Sequence, residues 1–257
     1  MTYVLETVEL CKEFRGFRAV SNVSIKVRKG DIHALIGPNG AGKTTVFNLL
    51  TKFLEPTSGT ILLEGRDITR EKPALLARQG MVRSFQISAT FPHLTVLENV
   101  RVALQRKSAP TYAFWLSGRV LRRLDERAME LLELVDMQDF AGVKAADLPY
   151  GRKRSVEIAT TMAMEPRLML LDEPTQGMGH EDVERVTQLI KRVSAHRTIL
   201  MVEHNMKVVA GICDRISVLQ RGSILAEGSY AEISSDPRVL EAYMGTAAEP
   251  ENAGGVV

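Results

Sequence analysis

The segment Gly37-Pro38-Asn39-Gly40-Ala41-Gly42-Lys43-Thr44-Thr45 decides the fold, because it matches the G-x-x-x-x-G-K-[ST] pattern of a phosphate-binding loop. Residues 32 to 36 before it are apolar and predict a strand, and residues 43 to 50 predict a helix. Glycines let backbone N–H groups converge on an anion, and the helix N-terminus adds a partial positive charge. The segment therefore predicts a phosphate site at a strand-to-helix turn; the alternative is a glycine-rich turn that fits the pattern by chance.

Two side chains of this loop have the chemistry to hold phosphates and a metal ion. Lys43 is expected to reach the outer phosphates, and the hydroxyl of Thr44 is expected to ligate Mg²⁺. The expected nucleotide-binding residues of the loop are Gly37, Pro38, Asn39, Gly40, Ala41, Gly42, Lys43, Thr44 and Thr45.

A pair of carboxylates follows a second predicted strand. Residues 168 to 171 form an apolar run that ends in Asp172 and Glu173, which is typical of a buried parallel strand with acidic residues at its carboxyl end. Ligands bind at this end of the strands in doubly wound sheets. We expect Asp172 to help hold Mg²⁺ and Glu173 to polarise a water aimed at the γ-phosphorus; the alternative is a solvated pair at a strand end.

Two more polar residues follow predicted strands. His204 comes after the apolar residues 198 to 202, and it is either a contact of the terminal phosphate or a structural histidine. Gln86 comes after the short, mainly apolar segment 81 to 85, and it is either a contact of a metal ion or water, or an ordinary surface amide.

The composition gives no strong argument for a particular class of partner. The 257 residues carry 33 Lys and Arg against 31 Asp and Glu, and a net charge of +2 gives no electrostatic argument for a nucleic-acid partner. The two cysteines, Cys11 and Cys213, have no CxxC spacing and predict buried free thiols. Because no signal peptide and no long apolar run occurs, we expect a cytosolic protein or one held at a membrane through a partner.

The remaining chain is predicted as two β segments around one helical segment. Residues 3 to 10 and 19 to 28 predict an antiparallel start, with Phe14 in the loop between them as a core plug or a stacking surface for a base. Residues 87 to 165 lack strand signals and predict an inserted helical subdomain, which contains the uncharged segment 108 to 118 that packs internally or docks a partner. Residues 216 to 227 predict a hairpin, and residues 246 to 257 a mobile tail.

Taken together, these motifs resemble the ATP-binding subunits of ABC transporters over residues 4 to 244. The Walker A loop, Gln86 of the glutamine loop, Asp172 and Glu173 of Walker B, and the switch residue His204 occur in the family order. The resemblance implies a P-loop NTPase (ABC ATPase) core, formed by residues 1–86 and 166–245, with an antiparallel β subdomain and an inserted helical subdomain at 87–165. It implies ATP and Mg²⁺ as ligands, catalytic roles for Lys43, Gln86, Glu173 and His204, Mg²⁺ contacts from Thr44, Gln86 and Asp172, and adenine stacking on Phe14.

Within the family, the long insertion and the ending Glu241-Ala242-Tyr243-Met244-Gly245 are most similar to the branched-chain amino acid importer type, which also serves urea, amides and related solutes. The implied partners are transmembrane permease subunits, a second ATP-binding subunit and, indirectly, a periplasmic solute-binding protein. The implied location is the cytoplasmic face of the inner membrane. A lipid-exporter motor and a soluble ABC protein are the alternatives.

Two segments depart from the family pattern. The signature loop, commonly Leu-Ser-Tyr-Gly-Gln in this subfamily, is Leu148-Pro149-Tyr150-Gly151-Arg152, and the D-loop is Gly177-Met178-Gly179-His180. Tyr150, Gly151 and Arg152 are the residues expected to contact the ATP of a partner subunit. Since Pro149 removes a hydroxyl and a backbone N–H from this loop, we expect a heterodimer with one good and one poor hydrolysis site; the alternative is a dimer with equal sites.

Overall fold

The computed structural model describes residues 2–84, 90–108, 118–195 and 197–245. Gln86, most of the uncharged segment 108 to 118 and the tail 246 to 257 lie outside the described residues. The strands are β1 (Tyr3–Phe14), β2 (Phe17–Val23), β3 (Lys26–Arg28), β4 (Ile32–Ile36), β5 (Ser58–Leu63), β6 (Arg66–Asp67), β7 (Met81–Ser84), β8 (Leu168–Asp172), β9 (Thr198–Val202), β10 (Arg215–Gln220) and β11 (Ser223–Gly228). The α-helices are α1 (Lys43–Leu50), α2 (Pro73–Arg78), α3 (Val96–Ser108), α4 (Gly118–Leu134), α5 (Tyr150–Ala163), α6 (His180–Ser194), α7 (Met206–Ile212), α8 (Tyr230–Ser235) and α9 (Pro237–Gly245).

The central sheet has the strand order β11-β10-β4-β9-β8-β7 among the described residues. The strands from β10 to β7 are all parallel, and β11 pairs with β10 as the predicted antiparallel hairpin. Strands β4, β8 and β9 are buried at every residue. Their uninterrupted apolar runs follow from this burial, because helices or a second sheet cover both faces.

The alternating side chains of β4 divide the core into two clusters. Ala34 and Ile36 pack with α5, α6 and α7, whereas Leu35 packs with Phe47 of α1 and with the antiparallel sheet. Successive side chains point to opposite faces of a strand, so one five-residue strand supports both layers. The predicted α/β fold with an antiparallel subdomain is confirmed.

The antiparallel sheet has the order β2-β1-β5-β6, with β3 also paired to β1. We predicted a loop at Phe14, and this prediction is wrong. Strand β1 continues through Phe14, which pairs with Phe17 across a tight turn at Arg15 and Gly16. The physical reason is that Gly16 adopts a positive φ of 90°, which lets the chain reverse over two residues.

The described residues between 90 and 165 form helices α3, α4 and α5, with no strand beyond an isolated bridge of Thr95 to Lys144. Helix α3 begins with a capping box: Thr95 and Glu98 exchange hydrogen bonds of 2.8 and 3.2 Å between backbone N–H groups and side-chain oxygens. The apolar faces of α3 and α4 join the same cluster as the central sheet. The helical insertion therefore shares its core with the sheet, and the domain boundaries at 86 and 165 stay predictions.

Both cysteines are free and partly buried, and burial raises the pKa of Cys213 to about 12. The expectation of free thiols is confirmed, although neither thiol is fully buried. Among the helices of the described residues, none combines the length and the apolar character that a membrane span requires.

Candidate functional site

The site lies at the carboxyl edge of the central sheet. The phosphate loop leaves β4, Glu173 follows β8, and His204 follows β9 by two residues. These three strands are neighbours in the order β4-β9-β8, so their carboxyl ends meet. Chain segments more than 130 residues apart in sequence thus come together at one edge.

The phosphate loop depends on glycine at two places. Gly42 precedes α1 in the left-handed conformation, with φ 100°, and a Cβ there would lie 2.7 Å from the carbonyl oxygen of Ala19. At Gly37, a Cβ would lie 2.1 Å from the carbonyl oxygen of Leu219. Since the N-cap Gly42 has no side-chain acceptor, the first N–H groups of α1 stay available for an anion.

Lys43 is folded back onto its own loop. Its Nζ donates hydrogen bonds to the carbonyl oxygens of Gly37 at 2.7 Å and of Pro38 at 2.9 Å. Burial lowers the pKa of Lys43, and the negative charge of Glu173 opposes this shift. The ammonium group is therefore held beside the loop amides, where a phosphate would compete for its donors.

Glu173 and His204 contact each other directly. The atoms Nε2 of His204 and Oε1 of Glu173 are 2.5 Å apart, and because the carboxylate accepts, the imidazole donates from Nε2. Glu173 has a positive φ of 44°, a conformation that non-glycine residues adopt at an energetic cost and that clusters at functional sites. The predicted base and the predicted switch residue are thus one hydrogen-bonded pair.

Glu203 and Thr175 support this pair, although no sequence pattern predicted a role for either. The buried carboxylate of Glu203 accepts a hydrogen bond from the Thr175 hydroxyl. It also accepts from the backbone N–H groups of His204 at 2.7 Å and Asn205 at 3.2 Å. Glu203 therefore connects two parts of the chain: the turn that contains His204, and the segment after β8 that contains Thr175.

A cleft of about 260 Å³ brings residues 39 to 45 of the phosphate loop together with Glu173 and His204, whereas Asp172 does not line it. The residues that line it are Phe17, Ala19, Asn39, Gly40, Ala41, Gly42, Lys43, Thr44, Thr45, Glu173 and His204. Phe14 lies outside this lining, with 40% of its surface exposed, whereas Phe17 is 70% exposed. The strand register decides which of the two aromatic rings faces the cleft, and the sequence pattern carries no signal for it.

Asp172 is more enclosed than we expected. It is only 2% exposed, and its carboxylate forms an ion pair with the guanidinium of Arg83 on the neighbouring strand β7. No sequence motif assigns a role to Arg83. Gln86 follows β7 beyond Ser84 and lies outside the described residues.

The altered signature segment does not line the cleft of its own chain. Helix α5 begins at Tyr150, with Pro149 as the N-cap residue, and Tyr150 is 56% exposed. The guanidinium carbon of Arg152 lies 3.9 Å from the ring centroid of Phe140. Pro149 and Tyr150 are therefore open to another molecule, whereas Gly151 is buried against the side chain of Asp182 and the Arg152 cation stacks on its own subunit.

The donors at this site suit a magnesium-bound nucleoside triphosphate. The helix amides and Lys43 suit phosphate oxygens, and the hydroxyl of Thr44, which lines the cleft, is an oxygen ligand of the kind that Mg²⁺ prefers. The carboxylate of Asp172 has the same chemistry, but it is paired with Arg83 and does not line the cleft. The exposed ring of Phe17 offers an apolar surface at the same cleft.

Two protein-family models match the chain. A model described as ABC transporter matches residues 20–176. A second, described as branched-chain amino acid ATP-binding cassette transporter, matches residues 223–249. The first match covers the phosphate loop, Asp172 and Glu173, and the second covers the C-terminal hairpin strand and helices.

Individual proteins that are similar to this chain are also ATP-binding proteins of transporters. The high-affinity branched-chain amino acid transport ATP-binding protein LivG of Salmonella typhimurium is 41% identical over 245 residues, covering 93% of this chain and 96% of that protein. The corresponding protein BraF of Pseudomonas aeruginosa is 40% identical over 251 residues, covering 95% and 98%. The crystal structure of an ATP-binding cassette of an ABC transporter in its ADP conformation has a TM-score of 0.84 and 32% identity, covering 95% of this chain and 100% of that chain.

Proposed function

The chain belongs to the ABC transporter family, and from this premise we propose that it is the ATP-hydrolysing subunit of an importer for branched-chain amino acids. The observation that carries the proposal is the cleft in which the phosphate loop, Glu173 and His204 lie together. The similarity of residues 223–249 to the branched-chain amino acid type favours this solute class over urea, amides or lipids. The solute itself is expected to contact partner chains.

Within this proposal, the loop amides and Lys43 bind the phosphates of ATP, and Thr44, Asp172 and Gln86 hold Mg²⁺. When bound, Mg²⁺ neutralises negative charge on the phosphate oxygens. Phe17 or Phe14 stacks on the adenine. The exposed ring of Phe17 at the cleft makes it a candidate beside Phe14.

Glu173 is the proposed general base. A water oxygen bonds to the γ-phosphorus, the bond to the bridging oxygen of ADP breaks, and the water gives a proton to Glu173. The hydrogen bond from His204 orients the carboxylate. Because Glu203 accepts from the backbone of His204, it keeps that imidazole at the cleft and acts as a positioning residue.

The proposed assembly is a peripheral complex on the cytoplasmic face of the inner membrane, with permease subunits, a second ATP-binding subunit and, indirectly, a periplasmic solute-binding protein. Co-purification tests it. From detergent-solubilised membranes, the tagged chain is expected to carry membrane subunits at constant stoichiometry. A chain found alone in the soluble fraction, with its membrane subunits expressed, would favour a soluble ABC protein instead.

An apolar groove of about 370 Å³ is the proposed permease contact. It lies where α2 and β7 of the core meet α3 and α5 of the helical insertion, and Phe53 at its edge is 56% exposed. A groove between two parts of the chain that share one core is suited to receive a short permease segment, because a docked segment would contact both parts.

Placing a charge in this groove is expected to weaken permease binding by about tenfold or more, as for a central interface residue. Ala77→Glu introduces the charge on α2, and Ala210→Glu makes the same change on an exposed position of α7, outside the groove. The measurement is the amount of permease co-purified at increasing detergent dilution. Equal loss in both variants would remove the groove from this role.

The second ATP-binding subunit is proposed to be a different chain. Its ATP would contact Tyr150, Gly151 and Arg152, and there Pro149 supplies neither a hydroxyl nor an N–H. Arg152, which stacks on Phe140, offers no replacement for the lost amide. We therefore propose that the site built on Lys43 and Glu173 hydrolyses well and the site completed by this signature loop hydrolyses poorly.

The asymmetry predicts unequal effects of two matched substitutions. Replacing Glu173 of this chain by Gln is expected to remove most of the ATPase activity of the complex, whereas replacing the corresponding glutamate of the partner subunit removes little. The measurement is the steady-state release of phosphate by each singly substituted complex. Equal losses, or a complex that contains only this chain, would refute the asymmetry.

A further inference from the structure

The ion pair between Arg83 and Asp172 is enclosed, as is the neighbouring pair of Arg154 and Glu157. The side chains of Arg83 and Asp172 are 12% and 2% exposed, and the guanidinium binds Oδ2 of the carboxylate. A buried carboxylate without a partner is strongly unfavourable, because burial removes its hydration. Arg83 therefore supplies the positive charge that makes the enclosed position of Asp172 tolerable.

Other contacts hold the guanidinium in place. Its NH1 group donates to Asn48 Oδ1 at 2.7 Å and to Thr51 Oγ1 at 3.2 Å, both at the end of α1. Its central carbon lies 5.8 Å from the ring centroid of Phe47 and 5.6 Å from that of Phe53. Arg83 thus joins three elements, β7, β8 and the helix that follows the phosphate loop, and its charge is fixed rather than mobile.

The fixed positive charge of Arg83 disfavours the binding of a metal cation at the carboxylate of Asp172. With Arg83 in place, Asp172 and Arg83 together carry no net charge, so a divalent cation gains less from approaching this pair than from approaching a lone carboxylate. Removing the charge of Arg83 also destabilises the metal-free protein, since it leaves Asp172 buried and unpaired. A bound cation would relieve that cost. Loss of the Arg83 charge therefore raises the affinity for a divalent cation in two ways: the lone carboxylate attracts the cation more strongly, and the metal-free protein is less stable.

We propose that Arg83 is the resident counter-ion of Asp172: it neutralises the carboxylate while no metal is bound and thereby weakens the affinity of the nucleotide site for a divalent cation. Arg83 is a positioning residue, since it acts through Asp172. The inference rests on the proposed binding of Mg²⁺ with ATP. Arg83 thus helps to set the concentration of divalent cation at which the nucleotide site is half-saturated.

The same side chain also lines the apolar groove. Arg83 and Phe53 both border it, so a segment docked there would contact the residue that neutralises Asp172. The counter-ion therefore lies between the proposed permease contact and the proposed metal ligand.

The test is metal binding by the full chain with saturating ADP, which needs no hydrolysis. Free Mn²⁺ is measured by electron paramagnetic resonance. Arg83→Gln keeps a hydrogen-bond donor but removes the charge, and it is expected to lower the half-saturating Mn²⁺ concentration by about tenfold. Arg83→Lys keeps the charge and is expected to bind Mn²⁺ as the parent does. Arg167→Gln removes one charge from an exposed ion pair with Glu64 and serves as the control for net charge.

Thermal unfolding provides a second readout if Arg83→Gln is unstable. Without metal, the Tm of Arg83→Gln is expected to be lower than that of the parent. Mn²⁺ with ADP is expected to raise the Tm of this variant by more than it raises the Tm of the parent. Unchanged or weaker Mn²⁺ binding, with an equal or smaller Tm shift, would overturn the inference while leaving the proposed function in place. A parent chain that binds no Mn²⁺ with ADP would overturn both.

Discussion

Replacing Glu173 by glutamine is expected to lower ATP hydrolysis by about 100- to 10,000-fold, the contribution typical of a general base. Glutamine keeps the size of the side chain but cannot accept a proton from water. ATP binding is expected to persist, because the loop amides, Lys43 and Asp172 are unchanged. The trapped ATP is expected to stabilise the closed dimer with the second ATP-binding subunit, since only the closed state places both subunits on the nucleotide.

Two measurements check this prediction. Phosphate release gives the hydrolysis rate, and sedimentation with Mg²⁺ and ATP gives the dimer fraction in the presence of the partner subunit. Glu184→Gln makes the same change on the exposed face of α6 and is the matched control. A Glu173→Gln protein that hydrolyses at the parental rate, or that stays monomeric beside its partner, would remove Glu173 from the role of base.

Replacing Lys43 by alanine is expected to weaken ATP binding itself. A hydrogen bond to a charged group contributes about 1.5–3 kcal/mol, which corresponds to roughly 10- to 100-fold in affinity. The fold is expected to survive, because the two hydrogen bonds from Nζ to the carbonyl groups of Gly37 and Pro38 lie within the loop, and their loss leaves the apolar packing of β4 and α1 unchanged. The rate of ATP hydrolysis is expected to fall as well, because less ATP is bound.

Titration with a fluorescent ATP analogue checks this second prediction. Lys29→Ala removes an exposed lysine away from the phosphate loop and serves as the control. Circular dichroism and Tm establish that the variant is folded. If the two proteins bound the analogue equally well, the assignment of the phosphate loop would be wrong.

Elements with a strong local signal were predictable from the sequence alone. Strands β4 and β9 and helix α1 have the predicted bounds, Ile32–Ile36, Thr198–Val202 and Lys43–Leu50. Each has a pattern that a few adjacent residues determine: an unbroken apolar run buried on both faces, or a glycine-rich turn followed by a helix. The convergence of the loop, Glu173 and His204 also followed, because parallel strands end at one edge of the sheet.

Contacts between side chains on different strands were not predictable. Arg83 and Asp172 are 89 positions apart, and Thr175 and Glu203 are 28 apart. Periodicity assigns each residue to a strand end but does not say which partner it faces. The neighbouring phenylalanines show the same limit on a smaller scale, because the register of β1 with β2 decides that Phe17 lines the cleft.

The central claim is that ATP hydrolysis by this chain powers solute import. The direct measurement is uptake of radiolabelled leucine into liposomes that contain the assembled complex and enclose ATP and Mg²⁺, with the solute-binding protein outside. The account predicts accumulation against a gradient with the parent chain and none with Glu173→Gln at equal complex content. Equal uptake by the two complexes, or uptake by the parent without enclosed ATP, would contradict it.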